Sequence, residues 1–213
     1  MTAEELIAEG RKLQRACSFL RPQENGPPAA IWHPRNRDKI TATGEHCWLT
    51  VDTSRIPNRP PSLRGYVGVF TDEKSFESGR VEVLQNWPER PGVKLYAHAA
   101  NVLPPIDAVI AYGSEAVGDW LRSLGWSREW GYNGNLQDTA VQEYERIWQQ
   151  EFPIYFESDI HAILGGWHFP MPDSDWEELC DEQLLIFTLR DSEPWVEVWQ
   201  TRSGGFKVIQ RIT

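Results

Sequence analysis

The sequence lacks the features that mark a membrane-spanning or secreted protein. No stretch of the 213 residues approaches the roughly eighteen consecutive apolar positions of a membrane span. Thr2, Glu4 and Glu5 open the chain, without the basic and apolar pattern of a secretory signal. Only three cysteines occur, too few and too scattered for a disulfide framework or a zinc ribbon. We therefore expect a cytoplasmic protein with reduced, structurally inert thiols.

Signatures of the common enzyme classes are also missing. The sequence contains no G-x-S-x-G, P-loop, G-x-G-x-x-G, H-E-x-x-H or C-x-x-C pattern. Nucleotide binding therefore has no support, and we expect no cofactor. Because catalytic triads assemble from distant positions, an enzyme is disfavoured but not excluded.

Charge is distributed unevenly along the chain, whose net charge is -10. Residues 1–100 hold 14 basic and 12 acidic side chains, whereas residues 101–213 hold 7 and 19. Between Glu157 and Glu197 there are eleven acids and one base, Arg190. Such a field repels phosphate backbones and anionic membranes, so we expect neither nucleic acid nor membrane as a partner. It would attract a basic protein, unless it only keeps the chain soluble.

Helix signals are clearest at the N-terminus and in the second half of the chain. Thr2 and Glu5 form a capping box, and the spacing of apolar positions predicts a helix that reaches Cys17, followed by a loop over residues 21–28. Further helices are predicted after Ser114, Asp138 and Ser174, where a capping residue precedes an apolar stripe.

Alternation of apolar and polar residues predicts an antiparallel meander in the first half of the chain. Its strands are Ala29–His33, His46–Asp52, Tyr66–Thr71, Arg80–Gln85 and Val93–His98. The apolar run Leu184–Leu189 predicts a strand covered on both faces. A C-terminal hairpin follows, for which we expect Trp199 opposite Val208 and on the same face as Phe206.

Helices and strands thus fall in blocks, which predicts an α+β fold with an antiparallel sheet and about four packed helices. We expect a single domain over residues 1–213, with a possible division into lobes near 104–105, where two prolines follow each other.

Eleven tryptophans are the most unusual feature of the composition. Five have the spacing of core residues: Trp120, Trp148, Trp176, Trp195 and Trp199. Four lie in glycine- or proline-rich context: Trp87, Trp126, Trp130 and Trp167. Rings held on loops can stack on a sugar or anchor a protein partner.

A divalent metal site is a weak candidate in the same region. His161, His168 and Asp173 offer imidazole and carboxylate ligands, with Asp175 nearby. Their spacing matches no named site, and capping of the next helix already explains the acids, so we expect no metal.

Two hypotheses about function follow. In the first, the chain is a non-catalytic protein that binds a basic protein, in the manner of an antidote to a cationic toxin in a bacterial cytoplasm; the contact residues would be Trp167, Asp173, Asp175, Glu177 and Glu178. In the alternative, it binds or hydrolyses a small, carbohydrate-like molecule, with Trp126 and Trp130 as stacking platforms and paired carboxylates as acid and base. The sequence does not indicate an oligomeric state.

Overall fold

The computed structural model of the chain describes residues 1–22, 26–33, 44–72, 79–87, 91–126, 137–151, 159–167, 185–189, 195–201 and 203–211. Within these ranges the helices are α1 (Ala3–Lys12), α2 (Ile106–Tyr112), α3 (Glu115–Ser123) and α4 (Thr139–Glu151). The strands are β1 (Arg15–Pro22), β2 (Ala30–Trp32), β3 (Glu45–Asp52), β4 (Tyr66–Asp72), β5 (Gly79–Leu84), β6 (Val93–Val102), β7 (Ala162–Gly165), β8 (Leu185–Leu189), β9 (Trp195–Gln200) and β10 (Phe206–Arg211).

All ten strands form one antiparallel sheet in the order β10-β9-β8-β7-β1-β6-β2-β3-β4-β5. With the four helices this confirms the predicted α+β class. The runs β3–β5 and β7–β10 are meanders in chain order. The predicted meander is wrong at its last strand, because β6 pairs with β1 and β2 instead of β5. Strands from both sides of Pro104–Pro105 belong to this sheet.

The sheet is curled, and its two faces bury different cores. Side chains of the inner face form one core, which includes Leu20, Leu49, Val67, Leu164 and Val198. At Gly79 the two ends of the sheet approach each other, because a Cβ on this glycine would lie 2.5 Å from Cγ1 of Val208 in β10. The outer face of β1, β6 and β7 is covered by the helices and forms the second core.

The N-terminal helix is shorter than predicted. It begins at the Thr2–Glu5 capping box, as expected, but it ends at Lys12. Residues Arg15–Pro22, predicted as helix and loop, form β1, which pairs with β6 on one side and β7 on the other. Leu13 and Cys17 have a helical spacing, but the segment from Arg15 onward is more stable as a strand. As a strand it forms hydrogen bonds along both edges and buries side chains on both faces.

The C-terminal hairpin forms as predicted, but in a different register. Trp199 lies opposite Lys207, and Val198 lies opposite Val208. Val198 and Val208 therefore share the buried inner face with Phe206, whereas Trp199 points to the other side and packs against Ile209. The pair of Val198 and Val208 fills the inner core better than the predicted pair of Trp199 and Val208. The two registers differ by one residue, and such a shift moves every side chain of one strand to the other face of the sheet.

Most helix ends follow their sequence signals, but Ser114, the residue before α3, forms no side-chain capping hydrogen bond. Asp138 Oδ1 accepts hydrogen bonds from the backbone N–H of Ala140 (2.9 Å) and Val141 (3.3 Å) at the start of α4. Gly125, with φ +90°, ends α3 as predicted. The capping box expected at Ser174 lies outside the described residues. Within the described ranges, the longest apolar stretch of any helix falls short of the thickness of a bilayer.

Gly10 allows α1 and α4 to approach closely. A Cβ at this position would lie 2.5 Å from the hydroxyl oxygen of Tyr144, whose O–H donates a 2.8 Å hydrogen bond to the backbone oxygen of Pro104. Tyr144 is fully buried and cannot move without losing that bond.

We therefore expect Gly10→Ala to lower the free energy of unfolding by about 1–2 kcal/mol, because overpacking outweighs the better helix propensity of alanine. Urea unfolding measures the change. Gly118→Ala in α3 is the matched control: its Cβ would lie 3.2 Å from the flexible end of Arg122 and 3.3 Å from the backbone oxygen of Ile110, so we expect a smaller loss than at Gly10. A Gly10→Ala protein as stable as the wild type would contradict the close packing of α1 on α4.

Candidate functional site: the acidic helical layer

The helical layer, defined here as α1 to α4, carries most of the uneven charge of the described chain. Its four helices contain nine acidic and four basic side chains. Each base is already in an ion pair with an acid of the same layer: Arg11 with Glu151, Lys12 with Glu9, Arg122 with Asp119, and Arg146 with Glu143. The layer therefore keeps five acidic side chains in excess.

Glu9 shows how the layer is held together. One of its carboxylate oxygens accepts a 2.6 Å hydrogen bond from the backbone N–H of Ser114, and the other lies 2.7 Å from Lys12 Nζ. Lys12 and then Ser114 lower the pKa of this carboxyl group. Glu9 thus stays charged and joins α1 to the start of α3.

Asp107 and Glu145 place two carboxyl groups within electrostatic range of each other. Asp107 is buried in the first turn of α2, and Glu145 is partly buried on α4. Burial raises the pKa of Glu145 to about 7, and the negative charge of Asp107 adds to this effect. Near neutral pH, Glu145 therefore exchanges a proton readily, as general acids and bases do.

A guanidinium group stacks on a buried ring beside the Gly165-Gly166 turn. The Cζ atom of Arg15 lies 3.5 Å from the ring centroid of Trp167. The indole N–H of Trp167 donates a 3.0 Å hydrogen bond to the backbone oxygen of Leu13, and the ring is 5.7 Å from that of Tyr112. Burial lowers the pKa of Arg15. Trp167 is only 3% exposed, so it supports this corner of the fold instead of offering its own face to a partner.

Trp126, predicted as a stacking platform, is likewise buried. Its backbone N–H donates to the carbonyl oxygen of Leu121 while that of Gly125 donates to Arg122, which closes α3 with a Schellman motif. This cap turns the ring into the helical core, where it is 2% exposed. The expectation that the rings of Trp126 and Trp167 lie open on loops is therefore corrected, because both fill the core beneath the helices.

His161, the described member of the weak metal candidate, has ordinary structural contacts. Its Nδ1 lies 3.0 Å from the backbone oxygen of Asp159, which can only accept, and its ring packs edge-on against Trp32 at 5.7 Å. Asp159 lies 3.8 Å from Arg21. In the part of the chain that the structure describes, no three metal-binding side chains converge.

Several predicted site residues lie outside the described residues, and for these the predictions stand as made. They are Trp130, His168, Asp173, Asp175, Glu177 and Glu178. One end of the acidic stretch is described: Glu197 is buried and accepts a 3.1 Å hydrogen bond from the indole N–H of Trp199, so it does not contribute to a surface. Cys17 and Cys47 are buried thiols, and burial raises the pKa of Cys17 to about 12, as expected of inert cysteines.

The acidic helical layer itself was missed in the sequence, although signals for it exist. Three of its ion pairs have the three-residue spacing of neighbours on a helix, for instance Glu143 and Arg146. Glu145 follows Val141 by four residues and so falls at the edge of the apolar stripe of α4. Asp107 interrupts an apolar run. The electrostatic effect of Asp107 on Glu145 depends on how the folded chain brings α2 and α4 near each other, which local sequence does not show.

Comparison with protein-family models, with curated proteins and with solved structures finds no match to this chain.

The raised pKa of Glu145 makes stability depend on pH. The folded protein holds this proton up to about pH 7, whereas the unfolded chain releases it near pH 4.5, so stability from this group falls as the pH rises between these values. We expect Glu145→Gln to raise the free energy of unfolding at pH 8 by about 3 kcal/mol and to leave it unchanged below pH 4.5. Urea unfolding over a pH series measures the difference.

Glu143→Gln is the matched control on the same helix. Its carboxyl group has a pKa lowered by Arg146, so its replacement should slightly destabilise the protein at pH 8. Equal responses of the two variants to pH would contradict the assignment to Glu145.

Proposed function

We propose that this chain is a non-catalytic protein that binds a basic protein partner through its acidic helical layer, together with the acidic stretch between Glu157 and Glu197. The observation that supports this most is that every base of the layer is already paired with an acid. The excess charge is therefore not neutralised within the layer. Basic side chains of a partner would neutralise this excess negative charge.

The layer also offers an aromatic contact next to exposed acid. Tyr112, at the end of α2, is 38% exposed, and Glu115 follows it at the start of α3 with its side chain in solvent. Tyrosine is enriched at the centre of protein interfaces, because it combines a large apolar ring with a polar end. Tyr112 thus replaces Trp167 as the proposed anchor, while acids such as Glu4 and Glu115 steer the encounter.

The setting proposed for this activity is the cytoplasm of a bacterium, where the chain would cover a cationic toxin in the manner of an antidote. Long-range attraction of this kind speeds association and weakens with salt, because the screening length is about 8 Å at physiological ionic strength.

Affinity capture from a native lysate, followed by elution with rising salt, supplies the partner for the test. With that partner purified, we expect Glu4→Gln/Glu115→Gln to weaken binding about fivefold at low ionic strength, since two exposed charges at the contact are lost. Calorimetry at two salt concentrations gives the affinities.

The control changes the net charge by the same amount elsewhere. Gln85→Lys/Ser203→Lys adds two positive charges at exposed positions outside the helical layer and should leave the affinity within about twofold. Equal losses in both double variants would show that only net charge matters and would contradict the proposed surface. Capture of no partner at either salt concentration would also contradict it.

A second candidate function rests on the carboxyl groups of Asp107 and Glu145. A group with a pKa near 7 beside a second carboxyl is suited to acid–base chemistry on a small molecule, as in glycoside hydrolysis. Turnover of chromogenic glycosides would support this function if it rises and falls with pH around 7 and is lost in both Glu145→Gln and Asp107→Asn. Turnover that survives both changes would exclude these residues.

A further inference from the structure

Arg15, at the start of β1, carries a positive charge that no acid of the described chain neutralises. Its side chain makes no ion pair and donates no hydrogen bond to any described residue. Each of the four bases in the helical layer, by contrast, is paired with an acid. Lys94 in β6 also lacks an acidic partner, but it is exposed, so water hydrates its charge. Arg15 is half-buried and has therefore lost part of its hydration without gaining an anion.

The surroundings hold the guanidinium group of Arg15 in one position. Its Cζ atom lies 3.5 Å from the ring centroid of Trp167, so one face of the group stacks on the indole. Trp167 is fixed in turn by the hydrogen bond from its indole N–H to Leu13 and by the turn that precedes it. In this turn Gly166 has a φ of +81°, and a Cβ there would lie 3.0 Å from Cβ of Cys17. Stacking covers only a face of the guanidinium group and leaves the N–H groups at its edge able to donate.

Tyr112 adds an exposed ring beside this stacked pair. Its ring centroid is 5.7 Å from that of Trp167, and the residue is 38% exposed. Burial lowers the pKa of Arg15, and the hydroxyl group of Tyr112 opposes this effect, so the hydroxyl lies within electrostatic range of the guanidinium group. A cation with N–H groups left to donate and an aromatic ring open to solvent therefore lie close together at the surface.

We propose that the corner formed by Arg15, Trp167 and Tyr112 binds a small aromatic carboxylate. The planar guanidinium group donates two parallel hydrogen bonds to the carboxylate, as arginine does in its strongest ion pairs. The flat body of the ligand packs against the exposed part of the Tyr112 ring. A molecule as small as benzoate can reach both groups, because the guanidinium group and the Tyr112 ring each pack on Trp167.

The charge of the surroundings favours an anion with a single negative charge. One guanidinium group neutralises one carboxylate, and the resulting pair carries no net charge. A phosphate ester carries up to two negative charges near pH 7 and would leave one of them beside the helical layer, which contains nine acids and four bases. The carboxylate site goes beyond the proposed binding of a basic protein, because it needs no acidic side chain and is tested on the free chain.

Calorimetric titration of the full-length protein with three probes tests the class of ligand. Benzoate should bind, whereas benzamide, which has nearly the same shape without the charge, should bind at least about tenfold more weakly. Phenyl phosphate should also bind more weakly than benzoate, because its second charge is repelled by the helical layer. Equal binding of benzoate and benzamide, tighter binding of phenyl phosphate, or no binding of benzoate at about 10 mM would overturn the proposal.

Substitution of Arg15 tests the position of the site. Arg15→Lys keeps the positive charge and the apolar stem but cannot donate two parallel hydrogen bonds, so benzoate should bind about fivefold more weakly. Arg15→Gln removes the charge as well and should weaken binding about tenfold or more. Circular dichroism shows whether each variant is folded, and the comparison of the three probes on the wild type decides the question without any variant.

Lys94→Gln is the matched control, because it removes an exposed positive charge at the other end of β6. Lys94 lies beside Leu95, which pairs with Pro22, whereas Arg15 pairs with Val102. The affinity of this variant for benzoate should stay within about twofold of the wild type. An equal loss in Lys94→Gln and Arg15→Gln, or wild-type affinity in Arg15→Gln, would show that benzoate does not bind at this corner.

Discussion

The rest of the structure depends on β1, which is buried on both faces and hydrogen-bonded on both edges. Phe19 packs under the helices, and Leu20, the next residue, packs inside the curled sheet. Because β6 and β7 flank this strand, it joins the early meander to the late one across most of the chain. Any change that displaces β1 would open both cores together, so the two cores are expected to unfold as one cooperative unit.

The position of the helices follows from that arrangement and explains where charge collects. They cover the outer face over β1, β6 and β7, so their polar sides are turned away from the sheet. Neighbouring acids bind the four bases there, and the acids in excess remain. Glu145 differs from the other acids of the layer, because burial and the nearby charge of Asp107 raise its pKa to about 7. The packing of the helices on the sheet thus gathers acidic side chains in one layer, in which Glu145 can exchange a proton near neutral pH.

Local signals in the sequence were sufficient for the fold class and for most element boundaries. Capping at Thr2 and Asp138 placed two helices, and alternation placed the strands of the early meander. The predictions that failed concern contacts between distant parts of the chain. Cys17 continues a helical spacing by chance, while its strand is stabilised by residues more than seventy positions away. Burial of Trp126 and Trp167 has the same origin, because glycine-rich context looks like a loop until the helices cover it. The acidic helical layer could not be predicted either, because it combines α1 at the N-terminus with α2 to α4, which lie more than ninety residues later.

Hydrogen–deuterium exchange of the full chain, free and saturated with its captured basic partner, tests the proposed binding surface most directly. Protection on binding reports which backbone amides the partner covers or stabilises. If the partner binds the acidic helical layer, we expect added protection in α3 and in the first turns of α1, with β3 to β5 unchanged. Protection confined to β3–β5, with the helical layer exchanging as in the free protein, would contradict the claim that the acidic helices form the binding surface.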